Sequence, residues 1–309
     1  MAETQNDSPR SLGIAISAGH LRSVVLKSDD TVTSSRSVDL DADQPIRAQI
    51  AELARNVINT EDSVSGVGIA VPGLVDLEEK RVAESRVHGL GGLDLKAELS
   101  EIRELTVIEN DANAAAFAEH RMGAGPGSKD LFYVSLSDGV GSGLIFDGNI
   151  WRGSKGFAGE FGSIVVDEEG TRLEEVASGP AIVRRTRSRF HQDSTSVLSK
   201  LNEEDIKLDD ILNAAAKGDD FARLMLERTG TAVGFAVAVA INLLNVERIV
   251  IGGDAVQPES VILDAIIRRA RECSAPRLFE STAIVVSQLD EYAAATGAAL
   301  LARVSEART

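Results

Sequence analysis

The chain has 309 residues, 43% of them hydrophobic but only 4% aromatic, with a formal charge of −16 and one cysteine, Cys273. That length accommodates two domains of roughly 150 residues each, with aliphatic cores. The acidity opposes non-specific binding to nucleic acid or anionic membranes, and one cysteine excludes an internal disulfide or a cysteine-cluster zinc site and fits the cytoplasm.

Residues 1–10 are polar and lack the apolar centre of a signal peptide. A disordered tail is expected over 1–11. The apolar runs Leu12–Ser17 and Leu21–Leu26 flank Ala18-Gly19-His20 and read as a hairpin, with a third strand over Thr31–Ser37. Ile46, Ile50, Leu53 and Val57 share one helical face, which predicts a helix over Ile46–Ile58. Val64–Val71 reads as a strand stopped by Pro72-Gly73. Leu93–Leu99 reads as a short helix, Leu105–Ile108 as a strand and the alanine-rich Ala114–His120 as a helix.

The second half repeats the plan. Leu131–Leu136 and Gly143–Phe146 read as strands around a glycine-rich turn, and Asp147-Gly148 as a tight hairpin into Asn149–Trp151. A further strand is expected over Ser163–Asp167, a helix over Pro180–Phe190, and a loop or surface helix over Thr195–Glu204. Leu208–Ala216 and Phe221–Leu244 read as helices, the latter with Gly230, Gly234 and Ala238 on one face for close packing. Arg248–Ile251 reads as a buried strand ending in Gly252-Gly253, followed by a helix (Val261–Arg271), a strand (Ala283–Val286) and a last helix (Ala293–Val304). No run approaches the roughly 20 apolar residues of a membrane span. Strands followed by alternating helix and strand, twice over, suggest a duplicated α/β architecture.

The densest polar cluster is Glu109-Asn110-Asp111-Ala112-Asn113, at a strand end and a helix start. Helix starts offer unpaired N–H groups and a positive dipole end. Asp111 suits a general base for a hydroxyl, with Asn110 and Asn113 orienting a polyol; either Asn110 or Asp111 equally suits a plain helix cap. The glycine-rich turn Ser137–Ser142 and Gly252-Gly253 can present N–H groups to phosphate but match neither the Walker loop nor the dinucleotide fingerprint. Glu160, amid Gly153, Gly156, Gly159 and Gly162, is either a ligand contact or a solvated loop carboxylate. His20, His88, His120 and His191 lack metal-ligand spacing, and Trp151 reads as a partly buried strand residue.

Several stretches occur together and in order. They are Gly68-Ile69-Ala70-Val71-Pro72-Gly73, Glu109–Asn113 with Glu119, Gly139-Val140-Gly141-Ser142-Gly143 with Asp147-Gly148, and Gly159-Glu160-Phe161-Gly162. Leu173-Glu174, Ala177-Ser178-Gly179-Pro180 and Asn245–Gly253 follow. Together they resemble the ROK family of bacterial sugar kinases and sugar-responsive regulators. The resemblance implies an α/β, two-domain actin-like ATPase (ribonuclease H-like) fold with an interdomain cleft. Its small domain is expected over 12–113 plus 292–309 and its large domain over 114–291. It further implies Asp111 as the base, with Gly73, Asn110, Glu160 and Glu174 binding sugar hydroxyls. Gly139 and Gly141 would approach ATP phosphates, and Gly234, Gly252 and Gly253 the adenosine.

The chain departs from the pattern at telling places. Family kinases carry Asp-x-Gly-Gly-Thr between the first two strands, where this chain has Ala15-Ile16-Ser17-Ala18-Gly19. The metal-holding carboxylate and the phosphate-holding hydroxyl are missing there. Ser137-Asp138 stands where kinases have Gly-Thr, and Asp138 repels phosphate. Ser163 replaces the family's zinc histidine and 167–172 contains no cysteine, so no zinc is expected, and packing or an Arg172 ion pair must brace that loop. The eleven residues before the first strand are too few for the regulators' helix-turn-helix domain. The expectation is therefore a hexose or amino-sugar sensor with weakened or lost kinase activity. It would be cytoplasmic and homodimeric, without direct contact to nucleic acid or membrane. The alternative is an ATP-dependent hexose kinase using Mg-ATP.

Overall fold

The computed structural model describes residues 9–61, 63–79, 81–100, 102–103, 105–257 and 260–306. They fall into two compact units. The first runs through Pro126, resumes over Gly143–Ala158 and closes from Leu289; the second takes Gly127–Ser142 and Gly159–Gln288.

The first unit opens with β1 (Arg10–Ile16), β2 (His20–Leu26), β3 (Val32–Asp39), α1 (Ile46–Thr60) and β4 (Val64–Val71). A small hairpin, β5 (Leu74–Asp76) with β6 (Arg81–Glu84), precedes α2 (Leu95–Leu99), β7 (Leu105–Asn110) and α3 (Asp111–Met122). β8 (Leu131–Leu136) then begins the second unit. β9 (Val140–Phe146) and β10 (Asn149–Ile150) follow, then α4 (Leu173–Ala177), α5 (Gly179–Arg187), α6 (Leu208–Ala216) and α7 (Asp220–Leu244). The chain ends with β11 (Arg248–Gly252), α8 (Val261–Cys273), α9 (Pro276–Ser281), β12 (Ala283–Val286) and α10 (Ala293–Glu306).

The first sheet has the order β3-β2-β1-β4-β7. β1 is antiparallel to β2 and parallel to β4, which is parallel to β7. β1 is buried on both faces from Ser11 onward, so Leu12–Ile16 is apolar throughout rather than alternating. Leu12, Ile14 and Ile16 form a core with Ile50, Leu53 and Val57 of α1. On the other face α10 lies directly on the backbone. A side chain at Gly13 would meet the Ala295 carbonyl oxygen at 1.9 Å, and one at Gly297 would meet that of Ala114 at 1.8 Å. The second sheet, β10-β9-β8-β11-β12, repeats the plan, with β11 parallel to β8 and β12. The expected duplication is therefore present as topology.

Three expectations change. Of the tail over 1–11, residues 1–8 lie outside the described residues, while Arg10 and Ser11 already belong to β1. The compact units group α3 and residues 143–158 with the first unit, in which Gly297 lets α10 press against α3. Ser163–Asp167 is not a strand. It holds the end of a 3-10 turn (Phe161–Ser163) and one isolated bridge, Val165 to Arg172, because the loop doubles back at Gly170 (φ 85°) too soon for a ladder. Finally, α7, at 25 residues, is long and apolar enough to cross a membrane by length and composition, but most of its apolar stretch is buried.

Candidate functional site

The end of β7 is where the first unit concentrates polar groups. β4 and β7 pair in parallel with Ala70 beside Glu109 and Val71 beside Asn110, and both strands stop there. Asn110 then leaves the strand with φ −63° and ψ 142° and caps α3: its Oδ1 accepts the Asn113 N–H at 3.0 Å. Its Nδ2 donates to the Gly73 carbonyl at 3.1 Å. The cap is thus Asn110. Asp111 occupies the first helical position, half-buried, with Oδ1 accepting the Ala112 N–H at 2.9 Å. Gly73 sits at φ 123°, and a side chain there would strike the Glu84 carbonyl at 2.1 Å, so the β5–β6 hairpin fixes glycine at that position.

Sequence reasoning left Glu109 without a role. It is 2% exposed, and its carboxylate accepts four hydrogen bonds. Oε1 takes the Asn110 N–H at 3.0 Å and Asn113 Nδ2 at 3.1 Å; Oε2 takes Arg152 Nε at 2.8 Å and Nη2 at 2.5 Å. An acid buried at the end of a strand needs hydrogen-bond donors or a cation to compensate it. The sequence does not reveal that Arg152, 43 residues later, supplies the cation. Glu119, also part of the resemblance, is wholly buried and structural: its carboxylate accepts the N–H groups of Ala124 and Leu289.

In the second unit, Glu160 is exposed at the head of the 3-10 turn, and among the described residues no hydrogen bond reaches its carboxylate. Glu174 is half-buried in the first turn of α4, with Oε2 accepting the Val140 N–H at 3.2 Å. The loop between them is held without an Arg172 ion pair. Arg172 instead donates its backbone N–H to Glu175 at 2.8 Å, and Asp167 accepts the Thr171 N–H at 2.8 Å. Hydrogen bonding from the Thr171 side chain, and next from its N–H, holds the Asp167 carboxyl below its ordinary range. Among the described residues no group of three or more His, Cys, Asp or Glu side chains is arranged to hold a metal ion.

Serine hydrogen bonds hold the β1–β2 and β8–β9 turns. In the β1–β2 turn the Ser17 N–H and hydroxyl both donate to the His20 carbonyl, and Ser17 Oγ accepts the His20 N–H. Ala15 is a buried strand residue, and a side chain at Gly19 would meet nothing within 4 Å. In the β8–β9 turn the Ser137 N–H donates to Gly139, its carbonyl accepts from Gly179, and its hydroxyl accepts from Asp254.

The remaining glycines have separate reasons. Gly139 lies in that turn and Gly141 in β9. Gly234 faces α8, where Ile266 O and Arg269 Cβ would stand 2.6 and 2.7 Å from a side chain; helix packing, not open space, fixes it as glycine. A side chain at Gly252 would meet the Tyr133 hydroxyl at 2.8 Å, and one at Gly253, at φ 94°, would meet the Leu136 backbone at 2.5 Å. Within this unit a cavity of about 590 Å³ is lined by Ser137, Asp138, Gly179, Arg187, Lys207 and Asp254, among others.

The chain matches the ROK family over residues 11–305. It is 31% identical to the glucokinase of Halalkalibacterium halodurans over 80% of this chain and 78% of that one. It is 24% identical to the xylose repressor of Bacillus subtilis over 93% of this chain and 75% of that one. The crystal structure of a ROK family glucokinase from Streptomyces griseus, in complex with glucose and AMPPNP, superposes with a TM-score of 0.85 at 26% identity, over 96% and 99% of the two chains. The fold is the actin-like ATPase fold of the ROK sugar kinases.

Proposed function

The chain belongs to the ROK family, and on that premise we propose that it is a sugar-binding sensor whose capacity for phosphoryl transfer is weakened or lost. The carrying observation is a contrast between its polar turns. Asn110 and Asp111 stand at a braced helix start, whereas the polar groups of Ser17 and Ser137 are taken up within the protein, Ser17 by His20 and Ser137 by Gly139, Gly179 and Asp254. Ala15 brings a methyl group where kinases of the family hold metal, and Asp138 brings an exposed carboxylate where they hold phosphate. Mg-ATP therefore does not fit these residues in the kinase manner. Phosphoryl transfer rests on positioning and charge stabilisation, and losing such groups costs roughly 3 kcal/mol each.

In this reading Asp111 and Asn110 hydrogen-bond sugar hydroxyls, helped by the Gly73 backbone. Carboxylates and amides suit a hexose or amino sugar because each offers several directional bonds, and they reject analogues that leave them unpaired. Sugar binding would act by favouring one of two conformations. A cytoplasmic homodimer without direct DNA contact completes the proposal; the −16 charge opposes contact with nucleic acid.

The kinase reading draws on Asp111 itself and on the similarity to glucokinases. Gly139, Gly141, Gly252 and Gly253 would then face nucleotide. An ADP-release assay separates the two. With Mg-ATP and excess glucose or N-acetylglucosamine, release stays at the sugar-free background. Sugar-stimulated release that disappears in Asp111→Asn establishes the kinase and ends the sensor reading.

A further inference from the structure

Glu109 poses a question that sugar binding alone does not answer. It is an acid buried to 2% exposure at the end of a sheet strand. A carboxylate there stays charged only if a cation and a full set of donors compensate it. Two of its four donors are neutral, the Asn110 N–H and the Asn113 amide. The other two belong to Arg152, whose Nε and Nη2 both reach Oε2 while its side chain remains 31% exposed.

The chain of contacts continues in both directions. Asn113 Oδ1 is buried and has no partner, so the bond from Nδ2 to Glu109 is what orients that amide. The reversed amide would turn oxygen toward the carboxylate. The Asn113 N–H in turn meets the Asn110 cap, whose Nδ2 reaches Gly73. On the other side, the Arg152 carbonyl accepts the Ala158 N–H at 3.1 Å. That bond closes a loop whose Gly153 and Gly156 both have positive φ, 70° and 86°. One residue therefore joins the base of a glycine-rich loop to the start of α3.

We propose that Arg152 is a positioning residue: by neutralising Glu109 it fixes Asn110 and Asn113, and with them the orientation of the groups that meet the sugar. It touches no ligand itself. The proposal rests on the sugar-binding reading for its purpose but not for its geometry. An arginine is required because two N–H groups must reach one carboxylate, which a lysine ammonium does not reproduce.

The test combines amide hydrogen exchange with glucose and N-acetylglucosamine titrations of the intact chain. In Arg152→Met, exchange at residues 110–113 accelerates about tenfold or more beyond any acceleration of the β2 amides, which report global unfolding, as expected for a buried partner left unpaired. The sugar dissociation constant rises by a similar factor. Arg152→Lys gives a smaller rise of the same pattern and carries the test if Arg152→Met does not fold. Glu109→Gln with Arg152→Met removes both charges and keeps an acceptor for Asn110 and Asn113. It returns exchange to within about threefold of wild type, since no buried charge remains unpaired. A purely structural role predicts uniform acceleration, or none, with unchanged sugar affinity in the folded protein. Unchanged protection at 110–113 in both single variants overturns the proposal, as does failure of the double variant to recover it. If the wild type binds neither sugar, the sugar-binding reading fails, and the exchange results still decide the role of Arg152.

Discussion

The ends of β7 and β1 both lead from a buried strand into a polar turn, yet they use their polar groups differently. At β7, outside residues brace the turn: Arg152 holds Glu109, Glu109 holds Asn113, and Gly73 holds Asn110. At β1, Ser17 braces its own turn through His20, and Ala15 contributes only a methyl group. The first arrangement needs contacts from distant parts of the chain and fixes specific side chains in specific orientations. The second needs four consecutive residues and fixes only a change of direction. The β1–β2 turn takes from outside only the Leu40 N–H on its Gly19 carbonyl, whereas a turn supported from three directions carries a geometry that the fold alone does not demand.

The largest expected effect tests the brace. Arg152→Met leaves Glu109 buried without its partner, and costs roughly 3–5 kcal/mol, the usual penalty for breaking a buried pair from one side. A denaturant midpoint unchanged from wild type would show that the ion pair is not what holds the end of β7. Next comes the cap. Asn110→Ala removes the acceptor for the Asn113 N–H and the bond to Gly73, for a loss of about 2 kcal/mol from a cap and one hydrogen bond together. Asn110→Asp keeps the cap acceptor and recovers about half of that loss. Equal losses in the two variants would assign the whole effect to Gly73.

The β1–β2 turn predicts the opposite behaviour. Gly19→Thr restores the hydroxyl of the kinase pattern at a position with open space and no positive φ, so stability stays within about 0.5 kcal/mol of wild type. A larger loss would reveal a constraint on the turn that its contacts do not show. The smallest effect concerns the loop between Glu160 and Glu174. The folded-state value of Asp167 is depressed, so its contribution is present above the ordinary carboxylate range and fades as the pH falls through the folded value. A carbon-detected titration should place Asp167 below an ordinary aspartate, and Thr171→Val should move it upward.

Much of the fold is legible in the residues. Ile46, Ile50, Leu53 and Val57 marked α1, the doubly buried runs marked β1 and β4, and the repeated element order gave the duplicated sheets. Short elements were not legible. The β5–β6 hairpin is three residues opposite four, and α4 and α9 span five and six residues, too short for periodicity to register. At the site, composition and spacing singled out Asn110 and Asp111, but only as cap or base, and the structure assigns the cap to Asn110. The Arg152–Glu109 pair lay beyond reach because nothing local to either residue names the other. The glycine at 234 looks the same in sequence whether a nucleotide or another helix approaches it; the contacts show α8.

The central claim is that this chain keeps the means to bind a sugar and has lost the means to hold Mg-ATP. Titration calorimetry on the intact protein tests it most directly, with glucose, N-acetylglucosamine and xylose added in turn, then Mg-ATP added to the sugar-saturated sample. The account predicts saturable heat from at least one sugar and none from Mg-ATP. Saturable Mg-ATP binding, or no binding from any sugar, would contradict it.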